Sequence, residues 1–390
     1  MHIVMLSKAC VVGAYQRKLE ELAKQPEMVL TVLVPPSWRD SRGEQVLERA
    51  FTKGYTLQKT PVAFNGRFHL HFYPRLGEEL DRLQPDLLHI DEEPYNFATR
   101  HAMGHARRLG IPACFFTWQN LNRRYPLLFR TWERFNFAHA AHAIAGNHAA
   151  AQVLRAKGYT GPLSVIPQFG IDPELFAPPA LSTPQERPFT IGYAGGLIPE
   201  KGLDTLLRAC AGLGGEWRLH LAGSGSQLGE LQTLARELGI GERVTWQAKI
   251  LSTQMPGFYQ GLDAFVLPSR TRPNWMEQFG RVLVEAMACA VPVVGSDSGE
   301  IPFVVGDAGL GFPEGDAKAL GAHLQQLRQD QALRNVLAVA GRARVLEHFT
   351  QERIARETYA VYRQMWEGRP AATSRPSRAQ RQGSSYTNTP

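Results

Sequence analysis

The sequence contains few cysteines, and no two of them lie at a spacing that indicates a pair. Its four cysteines, Cys10, Cys114, Cys210 and Cys289, are scattered through apolar segments. The sequence has no Cys-x-x-Cys pair and no group of His, Cys and carboxylate residues at ligand spacing, so it predicts neither a disulfide framework nor a metal site. We expect reduced thiols buried in the core.

Long hydrophobic runs are also absent. No uninterrupted apolar stretch approaches the roughly 20 residues that a membrane-spanning helix needs. The opening segment 1–8 is too short for the apolar core of a signal peptide and is typical of a buried first strand. These absences predict a cytoplasmic protein.

The signatures of three enzyme classes are incomplete. The run 223–229 misses the dinucleotide-binding spacing Gly-x-Gly-x-x-Gly by one residue, and the run 195–202 lacks the Gly-Lys-Ser/Thr ending of a phosphate-loop ATPase. The run 295–299 has Asp where a nucleophile elbow needs Ser. A hydride-transfer enzyme, an NTPase and a serine hydrolase are therefore poorly supported.

The length and composition of the chain are those of a multidomain globular protein. The 390 residues predict roughly two to three domains, and 44% hydrophobic with 20% charged residues is typical of a folded chain. The net charge of +7 suits phosphorylated substrates, an anionic membrane surface or nucleic acid. Part of the excess lies in the segment 367–390, which predicts a disordered basic tail.

Apolar β-rich runs alternate with helical patterns in both halves of the chain. This alternation predicts parallel sheets covered on both faces, one in a Rossmann-like domain at 1–172 and one in a second such domain at 173–350, with a proline-rich boundary at 177–188. Two such domains facing each other form a cleft, which is a common place for a small ligand. The predicted strands are 3–6, 29–34, 86–90, 113–117, 143–145, 190–194, 217–221, 244–246, 264–267 and 291–294. The predicted helices are 15–23, 97–109, 127–138, 149–156, 203–211, 228–238, 254–260, 317–328, 333–349 and 351–366.

The stretch 277–288 is the most informative part of the second half. If a helix begins near Gly280, its first N–H groups have no intrahelical partner and can bind a phosphate or diphosphate. Glu277 precedes that helix end and Glu285 lies about a turn and a half beyond it, so their carboxylates can accept hydrogen bonds from sugar and ribose hydroxyls. Two solvated glutamates on a surface helix are the alternative.

Other candidate residues lie at strand-to-helix turns. Gly13 can let the backbone approach a ligand, although a turn that needs a positive φ explains it equally well. Lys201, after the glycine turn at Gly195, is the candidate positive charge for an anionic leaving group, with the helix ends near Ala14 and Gly280 as favourable dipoles. The acids Asp91, Glu92 and Glu93 follow a strand and suit a polar rim or sugar hydroxyls better than a cation.

Two stretches mix aromatic and basic residues. The irregular segment 38–83 contains Phe64, Arg67 and His69, and the segment 122–135 contains four arginines beside Leu127, Leu128 and Trp132. Such mixtures suit a lipid interface or a carbohydrate, and ordinary packing with solvated arginines explains them as well.

The chain resembles a family-4 glycosyltransferase of the GT-B fold, from its first strand to about Trp366. Each motif is weak alone, but the set is highly specific. The motifs are Val12-Gly13-Ala14, Ile166-Pro-Gln-Phe-Gly-Ile-Asp172, Gly195 with Pro199-Glu-Lys201-Gly202, Gly223-Ser-Gly225, Pro268-Ser269, Glu277-x7-Glu285 with Phe279-Gly280, and Ala286-Met-Ala with Pro292-Val-Val-Gly.

This resemblance implies the GT-B architecture, with a last helix at 351–366 that returns to the N-terminal domain. It implies transfer of a sugar from a nucleoside-diphosphate sugar with retention at the anomeric carbon, without an essential metal or bound cofactor. By motif match, Lys201 and Glu277 would be catalytic, with Lys201 on the diphosphate and Glu277 on the donor sugar. The donor-binding residues would be Gly13, Gly195, Gly223, Gly225, Phe279, Gly280 and Glu285.

The chain departs from the family pattern at two places. Gly196 stands where the family commonly has Arg, and Arg270, Arg272 or Arg281 would have to substitute for it. The sequence Thr117-Trp-Gln-Asn120 stands where many members have a histidine. Gln119 and Asn120 can hydrogen-bond a sugar but cannot act as a base, and with Glu92 they are the candidate acceptor-side residues.

The expected function is therefore a retaining glycosyltransferase acting on a glycan, lipid or small-molecule acceptor. We expect peripheral contact with the inner face of the cell membrane and no nucleic-acid partner. The alternatives are a nucleotide-sugar epimerase of the same fold and a degenerate protein that binds a sugar or phosphate. An acceptor-dependent release of nucleoside diphosphate distinguishes the transferase from both.

Overall fold

The chain forms two parallel α/β domains, as the alternating pattern predicts. The computed structural model describes residues 1–40, 43–179 and 187–369. The predicted basic tail lies outside the described residues from 370 onward, and so does most of the predicted proline-rich boundary. No helix in the described ranges has both the length and the apolar character that crossing a membrane requires.

The central strands of the first sheet are short and almost fully buried, because helices cover both faces of the sheet. The seven parallel strands lie in the order β5-β2-β1-β6-β7-β8-β9, and β3 with β4 forms a separate antiparallel ribbon. The strands are β1 (His2–Leu6), β2 (Val29–Val34), β3 (Ser37–Asp40), β4 (Gly43–Val46), β5 (Thr56–Lys59), β6 (Leu87–Ile90), β7 (Ala113–Thr117), β8 (His142–Ala145) and β9 (Leu163–Val165).

Five α-helices in residues 1–40 and 43–179 accompany this sheet. The segment 38–83, predicted to be irregular, in fact contains β3, β4, β5 and α2. Its ribbon strands carry mostly partly or fully exposed side chains, so no buried apolar alternation marks them in the sequence. The helices are α1 (Arg17–Ala23), α2 (Leu76–Leu83), α3 (Phe97–Leu109), α4 (Leu127–His139) and α5 (His148–Ala156).

The second domain has a six-stranded parallel sheet in the order β12-β11-β10-β13-β14-β15. The strand predicted at 291–294 begins two residues later, after Pro292, which has no N–H for a ladder hydrogen bond. The strands are β10 (Phe189–Ala194), β11 (Trp217–Ala222), β12 (Val244–Gln247), β13 (Ala264–Leu267), β14 (Val293–Ser296) and β15 (Leu310–Phe312). The helices of this domain are α6 (Leu203–Ala211), α7 (Leu228–Glu237), α8 (Met255–Gln260), α9 (Arg281–Ala288), α10 (Ile301–Val305), α11 (Ala317–Gln329) and α12 (Gln331–His348). A last helix, α13 (Gln351–Glu367), follows them in the chain.

The chain passes between the domains at two adjacent points. The N–H of Ile171 donates to the carbonyl of Phe349 over 2.8 Å, and the N–H of Gln351 donates to the carbonyl of Ile171 over 3.0 Å. After this crossing Thr350 caps α13, whose apolar side chains enter the core of the first domain. Tyr362 of α13 also bonds His89 of β6 over 2.6 Å. The last helix therefore packs with the first domain.

Candidate active site

A pocket of about 310 Å³ lies between the two domains. It is formed by the loops after β1 and β7, the first crossing of the chain, and the segment that leads into α9. Aromatic rings Tyr15 and Phe169 stack at its wall with centroids 4.1 Å apart. Its lining residues are Ala9, Tyr15, Trp118, Gln168, Phe169, Glu277, Gln278, Phe279, Gly280 and Arg281. The pocket thus combines flat apolar walls with the beginning of a helix.

The helix α9 begins at the residue predicted from the sequence. Gly280 is its N-cap residue, with a φ of 76°, and offers no side chain to cap the helix. In the described part of the chain no acceptor is paired with the N–H groups of Arg281 and Val282. Because such N–H groups carry the positive end of the helix dipole, this end can bind an anion.

Lys201 and Glu277 form an ion pair at the same place. The Lys201 Nζ lies 2.5 Å from Glu277 Oε2, and Ser269 Oγ donates to the same oxygen over 2.8 Å. The Lys201 ammonium also lies 4.8 Å from the centre of the Trp275 ring. The two residues predicted to be catalytic are therefore brought together, although 76 positions separate them in the chain.

Glu285 is held by two side chains that the sequence did not single out as its partners. Tyr259 Oη donates to Glu285 Oε2 over 2.8 Å, and Arg281 Nε donates to Oε1 over 2.9 Å. Burial, with Glu285 beside it, raises the pKa of Tyr259 well above its ordinary value, so its hydroxyl stays a donor. Of the two bonds, the one to Arg281 is nearer to solvent, because the Arg281 side chain is 38% exposed whereas Tyr259 is fully buried.

The glycine turns after β10 and β11 pack against each other. A side chain at Gly223, whose φ is 152°, would collide with the carbonyl of Gly195, and a side chain at Gly225 would collide with the carbonyl of Leu197. The N–H of Leu197 donates to Ser224 over 2.9 Å. This packing alone requires Gly223 and Gly225, and their donor-binding role stays a prediction.

Gly13 faces a carboxylate. Its N–H donates to Glu48 Oε2 over 2.6 Å, and a side chain there would meet that oxygen and Ala50. Gly13 does not adopt the positive φ offered as one explanation for it, because it begins a short 3-10 helix, Gly13–Gln16. Close approach of a neighbouring segment is what requires glycine here.

The candidate acceptor-side residues have different surroundings. Asn120 donates to the carbonyl of Met276 over 3.1 Å, which ties the first domain to the loop carrying Glu277. Gln119 accepts a bond of 3.0 Å from Lys157, inside the first domain. Glu92 is 2% exposed and bonded to Lys8, His71 and Tyr73, so in this conformation its carboxylate does not reach the pocket.

Asp91 and Glu93, the chain neighbours of Glu92, each have hydrogen-bond partners of their own. Glu93 accepts hydrogen bonds from Thr117 Oγ1 over 2.5 Å and from the N–H of Trp118 over 2.8 Å, and burial raises its pKa to about 7. Asp91 accepts from Ser7 and Gln168, and Gln168 in turn bonds the Trp118 indole over 2.8 Å. Across the described ranges no group of three or more His, Cys, Asp or Glu side chains is placed to hold a metal ion.

Further bonds hold the loop with Glu277 across the cleft. Gln278 Nε2 donates to the carbonyl of Trp118 over 2.9 Å, and Asn147 Nδ2 donates to the carbonyl of Gln278 over 2.7 Å. His148 pairs with Glu300 over 2.6 Å. Gln278 and Trp118 lie inside segments that the sequence singled out. Asn147, His148 and Glu300 carry no pattern that sequence reasoning could use, because their partners are distant in the chain.

Comparisons with known proteins match both halves of the chain to glycosyltransferase family models. The model described as "Glycosyl transferases group 1" matches residues 180–344, and "Glycosyltransferase Family 4" matches 20–175. A GDP-mannose-dependent alpha-(1-6)-phosphatidylinositol monomannoside mannosyltransferase of Mycolicibacterium smegmatis is 31% identical, over 46% of this chain and 51% of its own length. O-antigen chain mannosyltransferase B of Escherichia coli is 33% identical, over 44% of this chain and 45% of its own length. The chain thus spans about half the length of these curated relatives.

Solved structures share the fold over the whole length. A sucrose-phosphate synthase from Thermosynechococcus elongatus has a TM-score of 0.69 at 22% identity, covering 94% of this chain and 99% of that chain. HepE of Anabaena, in complex with UDP, has a TM-score of 0.70 at 18% identity, covering 93% and 100%. At such identity the likeness shows the two-domain architecture alone.

Proposed function

Because this chain belongs to the family-4 glycosyltransferases of the GT-B fold, we propose that it transfers a sugar from a nucleoside-diphosphate sugar to an acceptor hydroxyl. Transfer proceeds with retention at the anomeric carbon and without an essential metal or bound cofactor. The acceptor is a glycan or a lipid-linked molecule.

One observation carries this proposal. The Lys201–Glu277 pair, 2.5 Å apart, lies beside the uncapped beginning of α9 in the pocket between the domains. An ammonium group and free N–H groups aimed at one place suit a departing diphosphate, because preorganised donors stabilise charge that develops in the transition state. Glu277 next to them suits the hydroxyls of the transferred sugar.

The chemistry follows from these roles. The bond between the anomeric carbon and the diphosphate oxygen breaks with its electron pair going to that oxygen. A new bond forms on the same face to the acceptor oxygen, and the acceptor proton passes to the departing diphosphate. Lys201 and the α9 N–H groups hold the departing anion, and Glu285 holds the ribose.

Two relatives are mannosyltransferases, and one of them is GDP-mannose-dependent by name. This supports GDP-mannose as the first donor to test, beside UDP- and ADP-sugars. The names of those relatives also support a lipid-linked or glycan acceptor.

The test is a donor screen by thermal shift, followed by detection of free nucleoside diphosphate with and without a mixture of glycan and lipid acceptors. We expect release that depends on the acceptor, and an α-linked product from an α-linked donor by proton NMR. An altered nucleotide sugar formed without an acceptor would indicate an epimerase. Binding without any product would indicate a sugar-binding protein, and either result would overturn the proposal.

A further inference from the structure

The positive charge of Lys201 is already balanced by Glu277, the residue of the pair that lines the pocket. The Lys201 ammonium lies 2.5 Å from the Glu277 carboxylate, and both side chains are largely buried. A nucleoside diphosphate carries more than one negative charge, and this charge increases at the phosphate oxygen that leaves. A second cation at the pocket is therefore needed if the leaving group is stabilised electrostatically.

Arg281 is the guanidinium that lines this pocket. It is the first residue of α9, directly after Gly280, and its side chain is 38% exposed. Its Nε bonds Glu285 over 2.9 Å. Within the described ranges, neither of its terminal nitrogens has a hydrogen-bond partner, so both are available to a ligand.

The placement of Arg281 is electrostatically unfavourable without an anion. Cations at the beginning of a helix are repelled by the positive end of its dipole, which favours acidic residues there. Glu285 offsets part of this repulsion. An anion bound to the N–H groups of α9 would offset the rest, because it would contact the helix end and the guanidinium together.

The other two candidate arginines do not offer the same contact. Arg270 is paired with Asp204 of α6 over 2.8 Å and also bonds Thr205. Arg272 is exposed in a turn closed by backbone bonds with Trp275. Neither lines the pocket that contains Glu277 and Gly280.

We propose that Arg281 is a catalytic residue that binds the donor diphosphate through its terminal nitrogens and stabilises it as it departs. When the donor enters, the guanidinium leaves Glu285 Oε1 and turns to the phosphate oxygens, and that oxygen of Glu285 becomes free for a ribose hydroxyl. One exchange thus prepares both the phosphate and the ribose contacts. This inference rests on the proposed function.

The chain offers a rescue experiment. A side chain at Gly196 would meet only Ile198, at an ordinary contact distance of 3.7 Å, and Gly196 does not have a positive φ. An arginine introduced there can therefore supply a cation from the neighbouring turn after β10. The variants are Arg281→Gln, Arg281→Lys, Gly196→Arg and the double variant, with Arg272→Gln as the control.

We expect Arg281→Gln to lower kcat/KM about 10²-fold. Arg281→Lys should lower it less, because an ammonium keeps the charge but cannot bind two oxygens in the fork geometry. Gly196→Arg should raise the activity of Arg281→Gln at least about tenfold, and Arg272→Gln should leave activity unchanged. Calorimetry should show weaker nucleoside diphosphate binding by Arg281→Gln and partial recovery in the double variant.

Two outcomes would overturn the inference. One is transfer by Arg281→Gln at the parent rate while Lys201→Ala is inactive, which would leave the proposed function intact. The other is a loss in Arg281→Gln that Gly196→Arg does not restore, together with unchanged nucleotide affinity, since that would indicate a merely structural role. Absence of acceptor-dependent transfer in the parent protein would instead refute the proposed function itself.

Discussion

The carboxylate of Glu48 accepts a hydrogen bond of 2.6 Å from the backbone N–H of Gly13. Gln16 fixes this arrangement, because its side-chain amide donates to the carbonyl of Glu48 over 2.7 Å and accepts from the N–H of Ala50 over 3.1 Å. An acidic group therefore occupies the N–H that the family resemblance assigns to the donor diphosphate. The donor must displace Glu48 before it can contact Gly13.

Glu48→Ala should strengthen the binding of nucleoside diphosphate. The substitution removes a competitor for the Gly13 N–H and a like charge near the phosphates, and a hydrogen bond to a charged group supports a change of about three- to tenfold in Kd. Titration calorimetry measures the Kd of each protein for nucleoside diphosphate. Glu44→Ala, an exposed carboxylate on β4 bonded to Ser37, is the control and should have no effect. Equal affinities in all three proteins would contradict the displacement.

Lys201→Ala and Glu277→Gln should each reduce turnover by about 10²–10³-fold, the usual loss when one preorganised electrostatic contact is removed. Each substitution also leaves the partner unpaired, since the two groups are 2.5 Å apart. Steady-state kinetics at saturating donor measures the effect. Lys249→Ala, on an exposed lysine of the same domain, is the control. Near-normal rates in both site variants would contradict their catalytic assignment.

Tyr259→Phe should weaken nucleotide binding and lower stability, and leave kcat largely unchanged. Removing the hydroxyl leaves one oxygen of the buried Glu285 carboxylate unpaired, at a cost of about 1–3 kcal/mol in the free energy of unfolding. Ribose contacts act equally in the ground and transition states, so affinity changes and kcat does not. Glu285→Ala should have the same effect on affinity.

Tyr159→Phe provides the matched control. Tyr159 is 1% exposed, and its hydroxyl donates to the carbonyl of Pro162 over 2.9 Å, within the first domain. The Tyr159→Phe variant should lose about as much free energy of unfolding as Tyr259→Phe, with no change in nucleotide affinity. If Tyr159→Phe and Tyr259→Phe weakened binding equally, Glu285 would not be the ribose contact.

The contribution of Glu93 to the free energy of unfolding should fall as pH rises from about 5 to about 7. Burial raises the pKa of Glu93 from 4.5 to about 7, so the folded protein keeps a proton that the unfolded chain has already released. The stabilisation is complete below pH 4.5 and is lost as pH passes through about 7. Urea unfolding at several pH values should show that the difference in the free energy of unfolding between the parent protein and Glu93→Gln changes by about 1–3 kcal/mol over this range. Parallel pH curves for the two proteins would disprove the assignment.

The first domain should bind an anionic membrane through one surface. His69 contacts Tyr125 and Phe129, with ring centroids 5.8 Å and 5.1 Å apart, so the two aromatic and basic stretches of the sequence lie side by side. Leu127 is 68% exposed and Leu128 53% exposed at the beginning of α4, beside exposed arginines. Leucines that enter the interface and arginines that meet anionic headgroups both favour such contact.

Replacing Leu127 and Leu128 together by Glu should lower co-sedimentation with phosphatidylglycerol vesicles roughly tenfold or more, given the free energy of burying a leucine. The control replaces Val336 and Val339 of α12 by Glu. These valines are 64% and 72% exposed but lie in the second domain. Equal losses in the two double variants, or binding to neutral vesicles alone, would rule out this surface.

Elements with a clear apolar period were predictable from the sequence. The bounds of α3, α6, β7 and β13 agree residue for residue with the predicted ranges, because buried faces and glycine or proline ends mark them. The start of α9 at Gly280 was predictable for the same reason. Once that start is known, the chain positions of Glu277 and Glu285 place one glutamate before the helix and the other inside it.

The partners of the site residues could not be predicted in this way. Tyr259 bonds Glu285 from 26 residues away, and Glu48 reaches Gly13 from 35 residues away. Such pairs depend on how loops pack, which no local period encodes. The same limit applies to Glu92, whose position after a strand suggested an exposed rim but whose carboxylate is buried by Lys8 and His71.

Ile171 lies opposite Thr350 and bonds the backbone of Phe349 and Gln351 on either side of it, which places both covalent links between the domains at one spot. A rotation of one domain about that spot leaves the length of both links unchanged. A translation of one domain relative to the other would break the backbone hydrogen bonds of Ile171 that join the links. Relative motion of the two domains is thus confined to few directions. Small dihedral changes in the two adjacent peptides at the crossing produce large displacements of residues far from it. Substrate entry and product exit then depend on the stiffness of the backbone torsions at this crossing.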